Sequence, residues 1–431
     1  MKKPFLVEKL NLARRRKFAY WLVTGVATAV LLFASPAIVR SLVNPHPTEI
    51  RGVWITNVAS GVLFSPGGIN RALEQLQQLN FNTIYPVAWN RGHTFYPSRV
   101  AQRVTGRNQE SLLKLTHPGE DILASMVKQG HRRGLRVIPW FEYGFLAPAN
   151  SSLAKLHPDW ITKTQDSSEI VEEVPEEAEV ANSPRSNLQT SSQKFLESVR
   201  DRLSINNLWL NPFHPEVQKF LRELILEVVI AYDVDGIQLD DHFGLPVQFG
   251  YDSYTIQLYQ QEHQGKSPPD NPQDSEWMRW RAGKITKFMQ EISQTIKTVK
   301  PDLIVSISPN PDQFAYNNYL QDWQTWVNQG LIDELILQVY RDDLQSFIPE
   351  LGQPAVQSAL RKIPVAIGIS SGTIQRPVAI ANLQQQVEAV RLRNFSGVSF
   401  FYWESLWSYL TPESPQQRRR AFEELFPSSG N

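Results

Sequence analysis

The stretch Val234-Asp235-Gly236-Ile237-Gln238-Leu239-Asp240-Asp241-His242-Phe243 decides the fold. Side chains alternate along a strand, so Ile237 and Leu239 share one face and Gln238 and Asp240 share the other. The apolar face suits an outer helix layer, which turns Gln238 and Asp240 inward, with Asp240 at the strand's C-terminal end. Asp241 and His242 then open the loop above it. Apolar residues at helical spacing flank this strand, over about 215–232 before it and 276–299 after it.

The same unit repeats outward in both directions. Strand-like runs begin at Arg51, Phe81, Leu135, Val234, Leu303, Glu334, Val365 and Gly397. Helical patterns cover about 67–80, 119–133, 215–232, 276–299, 317–329, 344–361, 378–393 and 415–425. Such alternation gives a parallel sheet with helices outside, and eight units predict an α/β fold of the (β/α)8 TIM-barrel type. The rival is an open, doubly wound sheet. No G-x-G-x-x-G follows the first strand and no Walker loop is present, so a nucleotide-binding fold has no support.

Composition narrows the function classes. The chain has 431 residues, with 43 Lys+Arg balanced by 43 Asp+Glu. A neutral chain lacks the basic surface that nucleic-acid binding by counterion release requires, so no nucleic-acid partner is expected. Cysteine is absent, which removes thiol nucleophiles, disulfides, zinc–thiolate sites and iron–sulfur clusters.

Residues 1–17 form a basic n-region with seven Lys or Arg against Glu8, and 18–39 carry no charge. That step reads as a signal peptide or membrane anchor, followed by a linker at 40–47 and the barrel domain at 48–431. The expectation is export, with the body outside the cytoplasm, secreted or held at a membrane through an uncleaved N-terminal segment. Two insertions, 146–213 and 244–274, directly follow strands three and four. In a barrel both sit at the C-terminal rim, where active sites are built. The first contains an acidic loop, 165–184, with seven acids and no Lys or Arg, which solvation explains without a ligand.

The rim inventory points to chemistry. Strand four supplies Asp240, with Asp241 and His242 just above. Strand three ends in Trp140-Phe141-Glu142-Tyr143 and offers Glu142 in an apolar setting, where a carboxyl's pKa rises enough to donate a proton near neutrality. Strand two ends in Trp89 and Asn90. Strand six turns Gln338 and Tyr340 inward, and strand eight ends in Trp403 and Glu404. Paired carboxyls among aromatics and amides suit glycoside hydrolysis, in which one carboxyl protonates the leaving oxygen and the other acts as nucleophile or base. Asp240 and Glu142 are the candidate pair, with Asp241 as an orienting third acid. Trp89, Asn90, Trp140, His242, Gln338, Tyr340, Trp403 and Glu404 are candidate substrate contacts. No G-x-S-x-G marks a serine hydrolase, and no cofactor is expected. Asp240, Asp241 and His242 leave open a metal-dependent deacetylase or phosphodiesterase. A silent glycan-binding barrel of the same fold is the other alternative.

Several motifs together resemble the glycosyl-hydrolase-like family ten, a family distinct from the family-ten xylanases. They are Glu49-Ile-Arg-Gly-Val-Trp-Ile-Thr56, Leu79-Asn-Phe-Asn-Thr-Ile-Tyr-Pro86, Asp235-Gly-Ile-Gln-Leu-Asp-Asp-His-Phe243 and Ser306-Ile-Ser-Pro309. The resemblance spans roughly 48–410. It implies a TIM barrel and a polysaccharide-directed hydrolase, with some relatives acting on peptidoglycan glycan strands, and it places the strand-four nucleophile on Asp240. Trp-Phe-Glu-Tyr stands after strand three where many relatives have Trp-x-Asn-Pro. The proton donor is therefore open between Glu142 and Glu404.

Overall fold

The structure is a computed structural model and describes residues 49–57, 60–171, 206–372, 378–407 and 411–427. The n-region, the apolar segment 18–39, the linker and residues 172–184 of the acidic loop lie outside the described residues. Among the described residues no helix is long and apolar enough to cross a membrane.

Eight staves run in chain order: β1 Ile50–Ile55, β2 Thr83–Pro86, β3 in two pieces (Arg136–Val137 and Trp140–Phe141), β4 Gly236–Asp240, β5 Ile304–Ser308, β6 Glu334–Gln338, β7 Val365–Ser370 and β8 Gly397–Phe401. Each pairs in parallel with its neighbours in sequence, and β1 also pairs with β8. The first piece of β3 pairs with β2 and the second with β4, so the ring closes through the break. Pro139 causes that break because it lacks an N–H. The ladder still bridges it: Ile138 donates to the Ile84 carbonyl at 3.0 Å, and Gln238 donates to the Pro139 carbonyl at 2.9 Å. This is the expected TIM barrel.

Apolar residues on alternate positions pack outward against the helices. α1 (Gly68–Gln78), α2 (Ile122–Arg132), α3 (Pro215–Ala231) and α4 (Ser275–Val299) follow β1 to β4. α3 starts with Pro215 at its first position, where the missing N–H costs nothing. The helix expected at 317–329 is two helices, Asp312–Tyr319 and Trp323–Asn328. Leu320 ends the first with φ 52°, and the Asp322 side chain caps the second. The helix expected at 344–361 is likewise split, into Leu344–Leu351 and Pro354–Leu360, because Pro354 cannot continue a helix.

The inward face is polar near the base. Glu334 of β6 accepts from Tyr85 of β2 and Ser306 of β5, both at 3.0 Å, and from Arg136 of β3 at 2.8 Å. Ser306 accepts from Gln238 of β4 at 3.1 Å, whose side-chain oxygen accepts from Trp54 of β1 at 2.7 Å. A buried carboxylate is tolerated when it is paired and hydrogen-bonded in this way. Gly52 and Gly368 leave the space these side chains need. A Cβ on Gly52 would fall 2.8 Å from Ser399 Oγ, and one on Gly368 would fall 3.2 Å from the Trp54 ring.

Both insertions stand at the C-terminal rim and are joined to each other. In the first, Leu146–Pro148 and Ile170–Val171 flank Asn207–Trp209 in an antiparallel sheet. In the second, Asp252 caps the helix Ser253–Glu262. The buried Asp252 carboxylate also accepts from Thr162 at 2.9 Å and Asn211 at 2.9 Å, both in the first insertion, and from Thr255 Oγ1 at 2.8 Å. Arg281 of α4, fully buried, donates to the carbonyls of Val247, Phe249 and Pro272 and so holds the second insertion down. A third elaboration, not expected from the sequence, separates β2 from α2: a hairpin of Trp89–Asn90 with His93–Thr94, then two short helices.

Candidate active site

Register brings the two candidate acids together. Gln238 pairs with Trp140 and Leu239 with Phe141, so Asp240 and Glu142 follow side by side at the ends of neighbouring staves. Parallel strands lie about 4.8 Å apart. Both acids are nearly buried, Asp240 at 3% exposure and Glu142 at 8%.

Each carboxyl is held by one oxygen only. Asp240 Oδ1 accepts from Gln338 Nε2 at 2.7 Å and from the Asp241 main-chain N–H at 2.9 Å. Glu142 Oε2 accepts from Asn90 Nδ2 and from Thr56 Oγ1, the latter at 3.2 Å. Neither Asp240 Oδ2 nor Glu142 Oε1 has a hydrogen-bond partner among the described residues. An oxygen that accepts two hydrogen bonds is a poor place for a proton, so each carboxyl would carry its proton on the other oxygen.

Burial is the largest influence on Glu142 and pushes it up to about 7, against hydrogen bonds from Asn90 and Thr56 and the charge of His242. Burial, then the negative charge of Asp241, holds Asp240 well above the usual carboxylate range. Burial also opposes ionisation of Asp241, but the charge and hydrogen bond of His242, with the Asn310 amide, outweigh it and keep Asp241 low. His242 is the mirror case. Burial disfavours the imidazolium, yet Asp241, Asp240 and Glu142 raise it to about 10. Its side chain keeps 30% exposure, so solvent screens part of this field.

His242 Nδ1 lies 3.1 Å from Asp241 Oδ1 and 3.1 Å from the Glu142 carbonyl. Both are acceptors, so this nitrogen carries a proton. The ring lies between Tyr143 (centroids 5.6 Å apart) and Trp209 (5.8 Å). Asn310 Nδ2 donates to Asp241 Oδ2 at 3.0 Å, so both Asp241 oxygens are engaged. Gln321 Nε2 donates to the carbonyls of Asp240 at 2.9 Å and Phe243 at 3.2 Å, pinning the loop from beneath.

Several candidate contacts take other places. Trp89 is fully buried and packs edge-on against Phe220 of α3 at 5.5 Å, because the chain after Pro86 turns it toward the helix layer; it offers no face to a sugar. Asn90 is also fully buried and contacts Glu142 instead of solvent. Gln338 is turned to Asp240. Glu404 accepts from Ser60 and from the Val62 main-chain N–H at 3.1 Å, which ties the end of β8 to the loop after β1. Trp403 is half-buried beside it and anchored by its main-chain N–H on the Trp54 carbonyl at 2.9 Å. Trp140 lies inside the barrel between Trp54 and Phe401, and its indole N–H meets no acceptor among the described residues. Tyr340 stacks on Phe401 at 5.6 Å. Trp209, Gln321 and Thr56 carry the site as well, and the sequence reading gave them no role. Thr56 alone left a trace, at the inward parity of β1 two residues after Trp54.

Asp240, Asp241 and His242 also present one donor atom each within 4.8 Å of one another. A cation there would need His242 as a neutral imidazole, released from its ion pair with Asp241.

Two inward carboxyls thus stand side by side at the C-terminal rim of a (β/α)8 barrel, each clamped on one oxygen. The chain belongs to the glycosyl hydrolase-like 10 family, whose model matches residues 49–182 and 173–389. It is 26% identical over 327 residues to the glycosyl hydrolase DigH of Escherichia coli K12, covering 68% of this chain and 62% of that protein. It is 24% identical over 328 residues to the glycosyl hydrolase YngK of Bacillus subtilis 168, covering 68% of this chain and 54% of that protein. The chain thus spans under two thirds of the length of either relative. Among solved structures, the glycoside hydrolase domain of PgaB (BpsB) from Bordetella bronchiseptica shares the fold with a TM-score of 0.55 at 12% identity, over 85% of this chain and 100% of that one. The catalytic domain of beta-amylase from Paenibacillus polymyxa shares it with a TM-score of 0.53 at 9% identity, over 87% and 98%.

Proposed function

We propose that this protein is an exported glycoside hydrolase that cleaves O-glycosidic bonds in a cell-wall or extracellular polysaccharide. Peptidoglycan glycan strands are the first substrate to test. The observation that carries the reading is the pairing of Glu142 and Asp240, each with one oxygen clamped and the other without a partner. Glu142, raised to about 7, keeps a proton near neutrality and donates it from Oε1 to the leaving glycosidic oxygen. Asp240 acts from the other carboxyl in its ionised form, which the His242 charge favours against burial and the charge of Asp241, as nucleophile at the anomeric carbon or as base for the attacking water. Tyr340 and Trp403 supply aromatic surface for the sugar. The charge step at 1–39 supports export, with the segment either removed or kept as a membrane tether.

The test is a reducing-end assay of the full chain on peptide-free peptidoglycan glycan and on common polysaccharides. Asp240→Asn is expected to lower turnover by about a thousandfold or more with little change in thermal midpoint. Undiminished turnover in that variant rejects the assignment. Tight glycan binding without product release would mark a binding barrel instead.

A further inference from the structure

Gln338 closes β6 and is almost fully buried, at 6% exposure. Its side-chain amide faces Asp240 Oδ1 at 2.7 Å and the Ser308 main-chain carbonyl at 2.8 Å. Both neighbours are acceptors, so the atom that meets them is the nitrogen, and both of its hydrogens are engaged. Ser308 ends β5, which lies between β4 and β6 in the ring. The amide is therefore braced on one stave while it holds the carboxyl of the next.

This bracing has a chemical effect. The terminal torsion of an aspartate is broad and nearly two-fold, so an unheld carboxylate presents either oxygen. Here two donors, Gln338 Nε2 and the Asp241 main-chain N–H, converge on Oδ1. The two oxygens are no longer equivalent.

We propose that Gln338 is a positioning residue for Asp240: it fixes the rotation of the carboxyl, occupies Oδ1, and makes Oδ2 the oxygen that meets the sugar. The proposal rests on the reading of Asp240 as a reacting carboxyl. It reassigns the Gln338 amide nitrogen from substrate contact to support, since neither of its hydrogens is left for a ligand.

The test uses the full chain, Gln338→Met (similar length, no donor) and Gln338→Glu. The first measurement needs no substrate: carbodiimide-driven coupling of an amine to Asp240, followed by peptide mass spectrometry across a pH series. Losing a donor disfavours the ionised form, so in Gln338→Met the pH of half-labelling should rise by about one unit. An unshifted midpoint overturns the proposal. The second measurement is turnover of peptide-free peptidoglycan glycan. Gln338→Met should lose about a hundredfold in kcat with KM within about threefold, the pattern of a lost transition-state requirement. A raised KM with unchanged kcat would mean that Gln338 binds sugar, and would also overturn it. Gln338→Glu should recover part of the rate only at acid pH, where its carboxyl keeps a proton to donate to Oδ1. If Gln338→Met proves unstable, Gln338→Asn, whose shorter amide does not span to Oδ1 and adds no charge, takes its place in the labelling series, and an unshifted midpoint there overturns the proposal. If the wild-type chain releases no reducing ends from any glycan, the glycosidase reading fails, while the labelling shift still decides the role of Gln338.

Discussion

His242 joins the ends of two staves: its Nδ1 lies 3.1 Å from the Asp241 carboxylate at the top of β4 and 3.1 Å from the Glu142 carbonyl at the top of β3. The protonated ring therefore ties the two stave ends together, and its charge acts on both Glu142 and Asp240.

His242→Phe keeps a ring between Tyr143 and Trp209 but removes that charge. The His242 cation lowers the pKa of both Glu142 and Asp240, so its loss should raise both. Both limbs of the pH–rate profile are expected to move to higher pH, by about one unit. The stability effect has its own sign. The folded pKa of His242, about 10, lies above its ordinary 6.5, so its contribution is complete below 6.5 and fades as pH rises through 10. Thermal midpoints of wild type and variant should differ most below pH 6.5 and converge in alkali.

Glu142 sets a second pH dependence. As general acid it must hold its proton, so the rate should fall as pH rises through about 7. Glu142→Gln should lose about a hundredfold to ten-thousandfold in kcat. Because the folded pKa stands above the ordinary 4.5, burying this carboxyl favours the fold below 4.5, and that advantage is lost as pH climbs through 7. The wild type should therefore lose about 3 kcal/mol relative to Glu142→Gln across that window, a difference that denaturant titrations at the two ends would read.

Asp252 carries the union of the two insertions. Asp252→Ala leaves Thr162, Asn211 and Thr255 without their acceptor in a buried site, at a cost of about 3 kcal/mol or more. The expected result is a lower thermal midpoint and faster proteolysis within 146–213 and 244–274. Trp209, which backs His242, comes from the first of these insertions, so kcat should fall with the loss of order. A variant with wild-type proteolysis and turnover would show that the insertions hold their place without this hub.

The inward carboxyls were legible in the sequence because strand parity is a local rule. Ile237 and Leu239 on one face of β4 dictate where Asp240 points, and Leu335 and Leu337 do the same for Gln338. The rule ends with the strand. Trp89 stands three residues past Pro86, and nothing in its neighbourhood distinguishes a ring aimed at the cleft from one aimed at α3. The partner of Gln338 was out of reach for a related reason: parity says that a side chain points inward, but not which inward neighbour it meets. Gln321 contacts the carbonyl of Asp240 from 81 residues away, out of a run that reads as uninterrupted helix until Leu320 is seen at φ 52°. Trp209 arrives from within a long insertion whose path no periodicity reports.

The polar base of the barrel bears on how the ring finds its alignment. Glu334, Arg136, Tyr85, Ser306, Gln238 and Trp54 come from six different staves, and each of their bonds crosses from one stave to another. Sliding any one stave by a single residue would turn its polar group toward the greasy shell and strand its partner without a mate. An all-aliphatic interior would forgive such a slip; this one penalises it at six points around the circle, and thereby dictates the height at which Glu142 and Asp240 emerge.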